Sequence, residues 1–221
     1  MGGMMLLVEG LDLAGKSSLV PELARRFEKQ GLEVRLARNC LCPDNPVARE
    51  ADRLRQDLER DPDRAAMLFV AAHMWDAAHF VLPGPGQVHL QDSCWLRTLA
   101  WEEWHGRAEL AALLRQATKF FPRFDQTIYL TASLPERQRR YFLRRKNDCG
   151  DRLVLDAPEE FARLEACLRR EAGHLGAVTL DNSQLTIAQT QDQAWQILTS
   201  AGESRPLRRS PSPRRPRESR A

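Results

Sequence analysis

The chain has 221 residues, enough for one α/β domain with a tail, and its 43% hydrophobic content suffices for a buried core. Its formal charge is +3, yet Arg205, Arg208, Arg209, Arg214, Arg215, Arg217 and Arg220, against Glu203 and Glu218, make the C-terminal end +5 and leave the remainder at −2. A mildly acidic body excludes a reader of duplex nucleic acid, which needs a basic face on its folded domain; only the tail keeps a contact with acidic partners or RNA open.

In chain order, Met4 to Glu9 is an apolar run of strand length, too short for a membrane span, and it leads into a glycine-bearing turn. Ser18 to Gln30 follows with helical periodicity and ends at Gly31. Glu33 to Ala37 alternates as a strand, and Leu41 to Pro46 breaks regular structure. Val47 to Leu82 reads as two helices divided at Asp61-Pro62, and Val88 to Leu90 as a short strand. Helices are predicted over Leu96 to Trp104, Arg107 to Thr118, Pro135 to Arg145, Pro158 to Ala172 and Ile187 to Thr199, with strands over Thr127 to Thr131 and Gly176 to Leu180.

Strands separated by helices require crossover connections and so a parallel sheet covered on both faces. The Arg, Pro and Ser composition of residues 203–221 offers almost nothing to bury and predicts a disordered tail behind a domain spanning 1–202. Cys40, Cys42, Cys94, Cys149 and Cys167 form an odd set with no Cys-x-x-Cys pair, which fits buried or loop thiols in a reducing cytoplasm better than disulfides or zinc ligands. Leu6 stands where N-myristoylation wants Ser or Thr, and no leader precedes the first strand.

Gly10-Leu11-Asp12-Leu13-Ala14-Gly15-Lys16-Ser17 satisfies the Walker A, or P-loop, pattern where a strand feeds a helix. Backbone N–H groups of such a loop converge on phosphate oxygens, and the N-terminus of the next helix, opening with Ser17 and Ser18, adds a favourable dipole. Lys16 would reach the β- and γ-phosphates and the Ser17 hydroxyl would ligate Mg²⁺. Lysine is rare in this arginine-rich chain, with only Lys29, Lys119 and Lys146 besides Lys16, which sets the one at this motif position apart. The motif alone specifies nucleotide binding, since GTPases and motor ATPases share it. Asp92, at the carboxyl end of a strand, suits a second Mg²⁺ contact; the alternative is a helix-capping aspartate before Leu96.

Val8-Glu9-Gly10-Leu11-Asp12 before Gly15-Lys16-Ser17-Ser18 resembles the loop of thymidylate kinases and their deoxynucleoside kinase relatives. Leu68 to Ala72, Asp92, Phe124 to Leu130 and Pro135-Glu136 resemble further segments of that family in the same order. The resemblance spans residues 4 to 200 and implies a P-loop NTPase fold, with a five-stranded parallel sheet, helices on both faces and a lid near residues 144–153. It also implies ATP and Mg²⁺ as cofactors, a nucleotide-like phosphoryl acceptor and a homodimer. By the same resemblance Asp12 meets the acceptor sugar, Asp181 and Asn182 lie beside the adenine, and Arg38, His73, Trp75, Asp92 and Arg97 form the acceptor side.

A lid supplies arginines that stabilise charge on the moving phosphoryl group, and Arg144, Arg145 and Arg152 are the candidates. The alternative for each is a solvated helix end. Two family arginines are replaced, by Ser93 after the strand-end aspartate and by His73 in the helix, and Asn39-Cys40 replaces a Glu-Pro pair after Arg38. Each lost charged hydrogen bond costs about 1.5 to 3 kcal/mol, so an unusual acceptor is expected. Trp75 could stack on a planar ring, although His73, Trp75 and His79 are also ordinary packing residues. A kinase for a nucleotide therefore competes with a kinase for a hydroxyl on a nucleoside, antibiotic or other metabolite, and with a regulatory nucleotide-binding module.

Overall fold

The computed structural model describes residues 2–55, 62–144 and 149–200. The predicted tail, Arg145 and the break at Asp61 lie outside the described residues. Five strands, β1 (Met4–Glu9), β2 (Glu33–Arg38), β3 (Gln87–Asp92), β4 (Gln126–Thr131) and β5 (Val178–Asp181), form one parallel sheet in the order β2-β3-β1-β4-β5. Its connections run through α1 (Lys16–Lys29), α2 (Pro46–Arg55), α3 (Pro62–His79), α4 (Trp95–Trp104), α5 (Ala108–Ala117), α6 (Leu134–Leu143), α7 (Cys149–Asp156) and α8 (Pro158–His174), and α9 (Ile187–Thr199) is the last element among the described residues.

Because successive residues of a strand point to opposite faces, the apolar run of β1 supplies two cores. Met5 and Leu7 face Val70 of α3, Leu96 and Leu99 of α4, Leu114 of α5, and Leu164 and Leu168 of α8. Leu6 and Val8 face Leu19, Leu23 and Phe27 of α1 and Ala194 and Leu198 of α9. Burying each leucine stabilises by about 1.5 to 3 kcal/mol, so β1 is fixed at the centre from both sides.

Local chemistry sets the boundaries. Thr186 caps α9 by accepting from Gln189 N at 3.2 Å while the Gln189 side chain accepts from Thr186 N at 2.9 Å. The first helix begins at Lys16 rather than Ser18, because Gly15 takes the cap position in the left-handed region at φ 101°. Within the lid, α7 forms where the sequence predicts no helix; Arg144 donates to both carboxylate oxygens of Asp151 at 3.0 Å and fixes its first turn.

Candidate active site

Strand β1 ends at the carboxyl edge of the sheet, between β3 and β4, where a crevice opens in folds of this kind. The residues of the loop that follows are constrained by contact. A Cβ on Gly10, at φ 151°, would lie 2.3 Å from the Leu130 carbonyl oxygen, and one on Gly15 would lie 3.3 Å from Asn182 Nδ2. Among the described residues three non-glycines sit in the left-handed region, Leu13 at φ 62°, Asn39 at 61° and Ser93 at 60°. They lie in the loop and just past β2 and β3, so the strain, about 1 to 3 kcal/mol each, is concentrated around one edge. Hydrogen bonds hold it there: Asn39 N donates to Asp92 O at 2.9 Å and Ser93 N to Val8 O at 3.0 Å.

Glu9 is completely buried, and its carboxylate accepts from Gly10 N at 2.9 Å and from Cys94 N at 3.1 Å, tying the loop to the start of α4. Burial pushes its carboxyl upward, opposed by Lys16. Lys16 is itself buried and its Nζ donates to the carbonyls of Gly10 and Leu11. Burial lowers the ammonium pKa, the Arg97 guanidinium lowers it further, and Asp92, Asp12 and Glu9 oppose both. Asp12 pairs with Arg97 of α4, and Arg38 Nε approaches Asp92 Oδ2 at 3.8 Å. Two arginines and a lysine thus stand among three carboxylates at the ends of β1, β2 and β3.

Helix α6 reaches the loop from the other side. Arg137 is fully buried, donates to the carbonyls of Ala132 and Asp12, and pairs with Glu165 at 2.8 Å. Arg140 Nη1 donates to the carbonyls of Leu13 and Ala14, both at 3.0 Å, and Nη2 to Asn182 Oδ1 at 3.1 Å. Glu136 holds that guanidinium from behind at 2.8 Å. Asn182 Nδ2 donates to Ala14 O at 2.9 Å, whereas Asp181 accepts from its neighbour Ser183. A cavity of 320 Å³ opens here, lined by Gly15, Ser18, Arg140, Asn182, Thr186 and Thr190 among others.

The structure brings Gly10 to Ser18, Asp12, Asp92, Arg97, Arg38 and Asn182 to this edge, but it separates other residues that the sequence grouped with them. Arg144 is engaged by Asp151 across the lid, and Arg152 is exposed on α7. His73 is 2% exposed and bonded through Nε2 to Thr98 Oγ1 at 2.9 Å, so it is not a surface that an acceptor can touch. Trp75 stacks on His79, ring centroids 4.0 Å apart, and lines a second cavity beside β2. Sequence reasoning gave no role to Arg137 and Arg140. Their spacing of three residues places both on one face of α6, whereas Arg139 is 62% exposed and Arg144 lies past the helix end in extended backbone.

The loop fits a polyphosphate, since its glycines permit a close backbone approach and Lys16 and Arg140 flank it. A hard divalent cation also fits. Asp92 Oδ1 is buried without a hydrogen-bond partner among the described residues, and the exposed Ser17 hydroxyl opens α1.

A parallel sheet whose central strand ends in this loop, with an inward lysine and helix-borne arginines around it, defines a P-loop phosphotransferase. The model of the family described as Thymidylate kinase matches residues 8–194, and the chain belongs to that family. It is an ATP-dependent nucleotide kinase of the thymidylate kinase type. Among solved structures, the thymidylate kinase of Candida albicans is similar in fold, with a TM-score of 0.68 and 19% identity over 91% of this chain and 93% of that one. No curated protein matches the chain. Among the described residues no helix is long and apolar enough to cross a membrane.

Proposed function

We propose that the chain moves the γ-phosphoryl of ATP to a nucleoside monophosphate, including modified ones, whose phosphate is gripped by Arg97 and Arg38 in place of the arginines exchanged for Ser93 and His73. The carrying observation is the pairing at the strand ends. Asp12 is engaged by Arg97, and Glu9 is buried and bonded to two backbone amides, so neither carboxylate is free to serve as a base. A hydroxyl acceptor benefits from such a base, whereas an ionised phosphate oxygen attacks without one. The Arg97 guanidinium beside Lys16 and the Arg38 guanidinium beside Asp92 instead supply what a second phosphate needs.

In this reading the amides of residues 11–16 and Lys16 hold the β- and γ-phosphates, and Arg140 orders the loop through its carbonyls. Ser17 and Asp92 would hold Mg²⁺, which neutralises charge between the phosphates when bound. Arg144, Arg145 and Arg152 remain lid candidates for the transferred group, with Arg144 released from Asp151 when the lid closes. Asn182 and the cavity beside it suit the adenine, and Asp181 shapes that turn. The four described cysteines are free thiols, which supports a cytoplasmic setting. Family membership supports a homodimer, and sedimentation tests it. Residues 1–202 are read as the kinase domain and 203–221 as its tail.

The test is ADP release from ATP and Mg²⁺ across a panel of nucleoside monophosphates, nucleosides and aminoglycosides. Turnover with a monophosphate is the expected result, and Arg97→Ala should raise the KM for that acceptor about tenfold to a hundredfold. Turnover confined to hydroxyl acceptors, or none with any acceptor, would overturn the reading.

A further inference from the structure

Behind the phosphate-binding edge, residues from the segment after β2 and from α3 meet in the interior. Cys40 Sγ, a His73 ring nitrogen and an Asp76 carboxylate oxygen lie within 4.8 Å of one another, and all three residues are buried. These include two of the positions at which the chain departs from the thymidylate kinase pattern, Cys40 and His73. Two departures from the family pattern, one of which removes an arginine, therefore meet at one point in space.

Asp76 is the hub of that point. It is completely buried and accepts from Leu41 N at 2.6 Å, Cys42 N at 3.1 Å and Asn45 Nδ2 at 3.0 Å, and burial and its charge together push the Cys40 and Cys42 thiols up. No arginine or lysine pairs with it among the described residues. A buried carboxylate is costly without a cation. His73 can complement it: in the tautomer whose Nε2–H donates to Thr98 Oγ1, Nδ1 carries the lone pair. Burial keeps the ring neutral by lowering its pKa to about 4. Cys42, half-buried, borders a cavity of 470 Å³ that it shares with Trp75 and His79, which gives a route from solvent.

We propose that Cys40, His73 and Asp76 form a three-donor binding site for a zinc-class divalent cation, separate from the Mg²⁺ position at the phosphate loop. Thiolate, imidazole and carboxylate together select Zn²⁺ over Mg²⁺, which prefers oxygen donors. Binding releases the thiol proton of Cys40 to solvent, and the cation replaces it as counter-charge to the thiolate and to Asp76. It would pin the segment carrying Arg38 and Asn39 to α3, setting the acceptor wall from beneath.

The test uses the full chain, reduced and stripped with a chelator, titrated with Co²⁺ in the absence of nucleotide. One Co²⁺ per chain should bind with thiolate-to-cobalt charge-transfer absorption, and Zn²⁺ should abolish that absorption by displacement. Cys40→Ser should remove the band, and His73→Gln and Asp76→Asn should weaken binding at least about tenfold. Lys16→Ala and Ser17→Ala should leave it unchanged, which separates this site from the phosphate loop. Because Cys40→Ser can impair folding, His73→Gln and a Zn²⁺-dependent rise in the Tm of the unaltered chain are read alongside. A titration of the unaltered chain without charge-transfer absorption, or the same absorption in a Cys40→Ser, Cys42→Ser double variant, overturns the proposal.

Discussion

Lys16 is held inside a ring of carboxylates, and its environment explains how it can be buried and still serve a phosphate. Burial and Arg97 act against its charge, while Asp92, Asp12 and Glu9 sustain it. Replacing it by alanine leaves those carboxylates facing each other and takes away the ammonium proposed to reach the transferred group. Lys16→Ala should lower kcat by about 10² to 10³, measured by ADP release at saturating ATP, with the chain still folded by circular dichroism. Arg137 answers to a different constraint. It is fully buried, and Arg137→Met would leave Glu165, whose side chain is 18% exposed, with Thr131 and the more distant Arg169 at 3.8 Å. About 3 kcal/mol of stability should be lost in urea titration. The roles of these two side chains were unequally legible in the sequence. Lys16 sits in a motif whose spacing fixes its direction, whereas Arg137 belongs to a run of five arginines between 137 and 145 that only helical phase can sort.

Helix α6 connects that sorting to nucleotide binding. Glu136 sets Arg140, and Arg140 grips the loop and Asn182 in turn, so the helix positions the phosphate cradle through one side chain. Arg140→Ala should raise the KM for ATP about tenfold with a small change in Tm, measured by initial rates and a thermal melt. Its partner provides a pH test. Arg139 and then Arg140 hold the Glu136 carboxyl down to about 2 from 4.5. Since the folded-state pKa is depressed, this stabilisation is fully present above pH 4.5 and is lost as pH falls toward about 2. Glu136→Gln should therefore flatten the acid limb of the stability profile in that window, followed by denaturant midpoints across pH. The order of strands and helices was readable because β1, β4 and α9 carry uninterrupted periodicity and caps. The cluster around Asp76 was not, because Cys40, Asn45, His73 and Asp76 are joined only by the packing of α3 against the segment after β2.

The two faces of the sheet are unequally covered, and that decides what the C-terminal end contributes. On one side α3, α4, α5 and α8 share the apolar surface, while on the other α1 and α9 carry most of it, with Phe27 and Trp195 rings 4.6 Å apart. Leu198, in the last turn of α9, is 3% exposed and belongs to that core. Beyond it, residues 203–221 carry seven arginines and a single leucine, Leu207, as apolar side chain besides proline and Ala221. Deleting 203–221 should shift Tm by less than about 2 °C and leave kcat unchanged. Deleting from Ile187 onward should instead abolish cooperative unfolding, because the side chains of α1 that pack under α9 would be left facing water. A thermal melt and an ADP-release assay on the two truncations separate the cases: a short deletion that loses the fold would mean the arginine-rich segment packs on the domain rather than trailing from it.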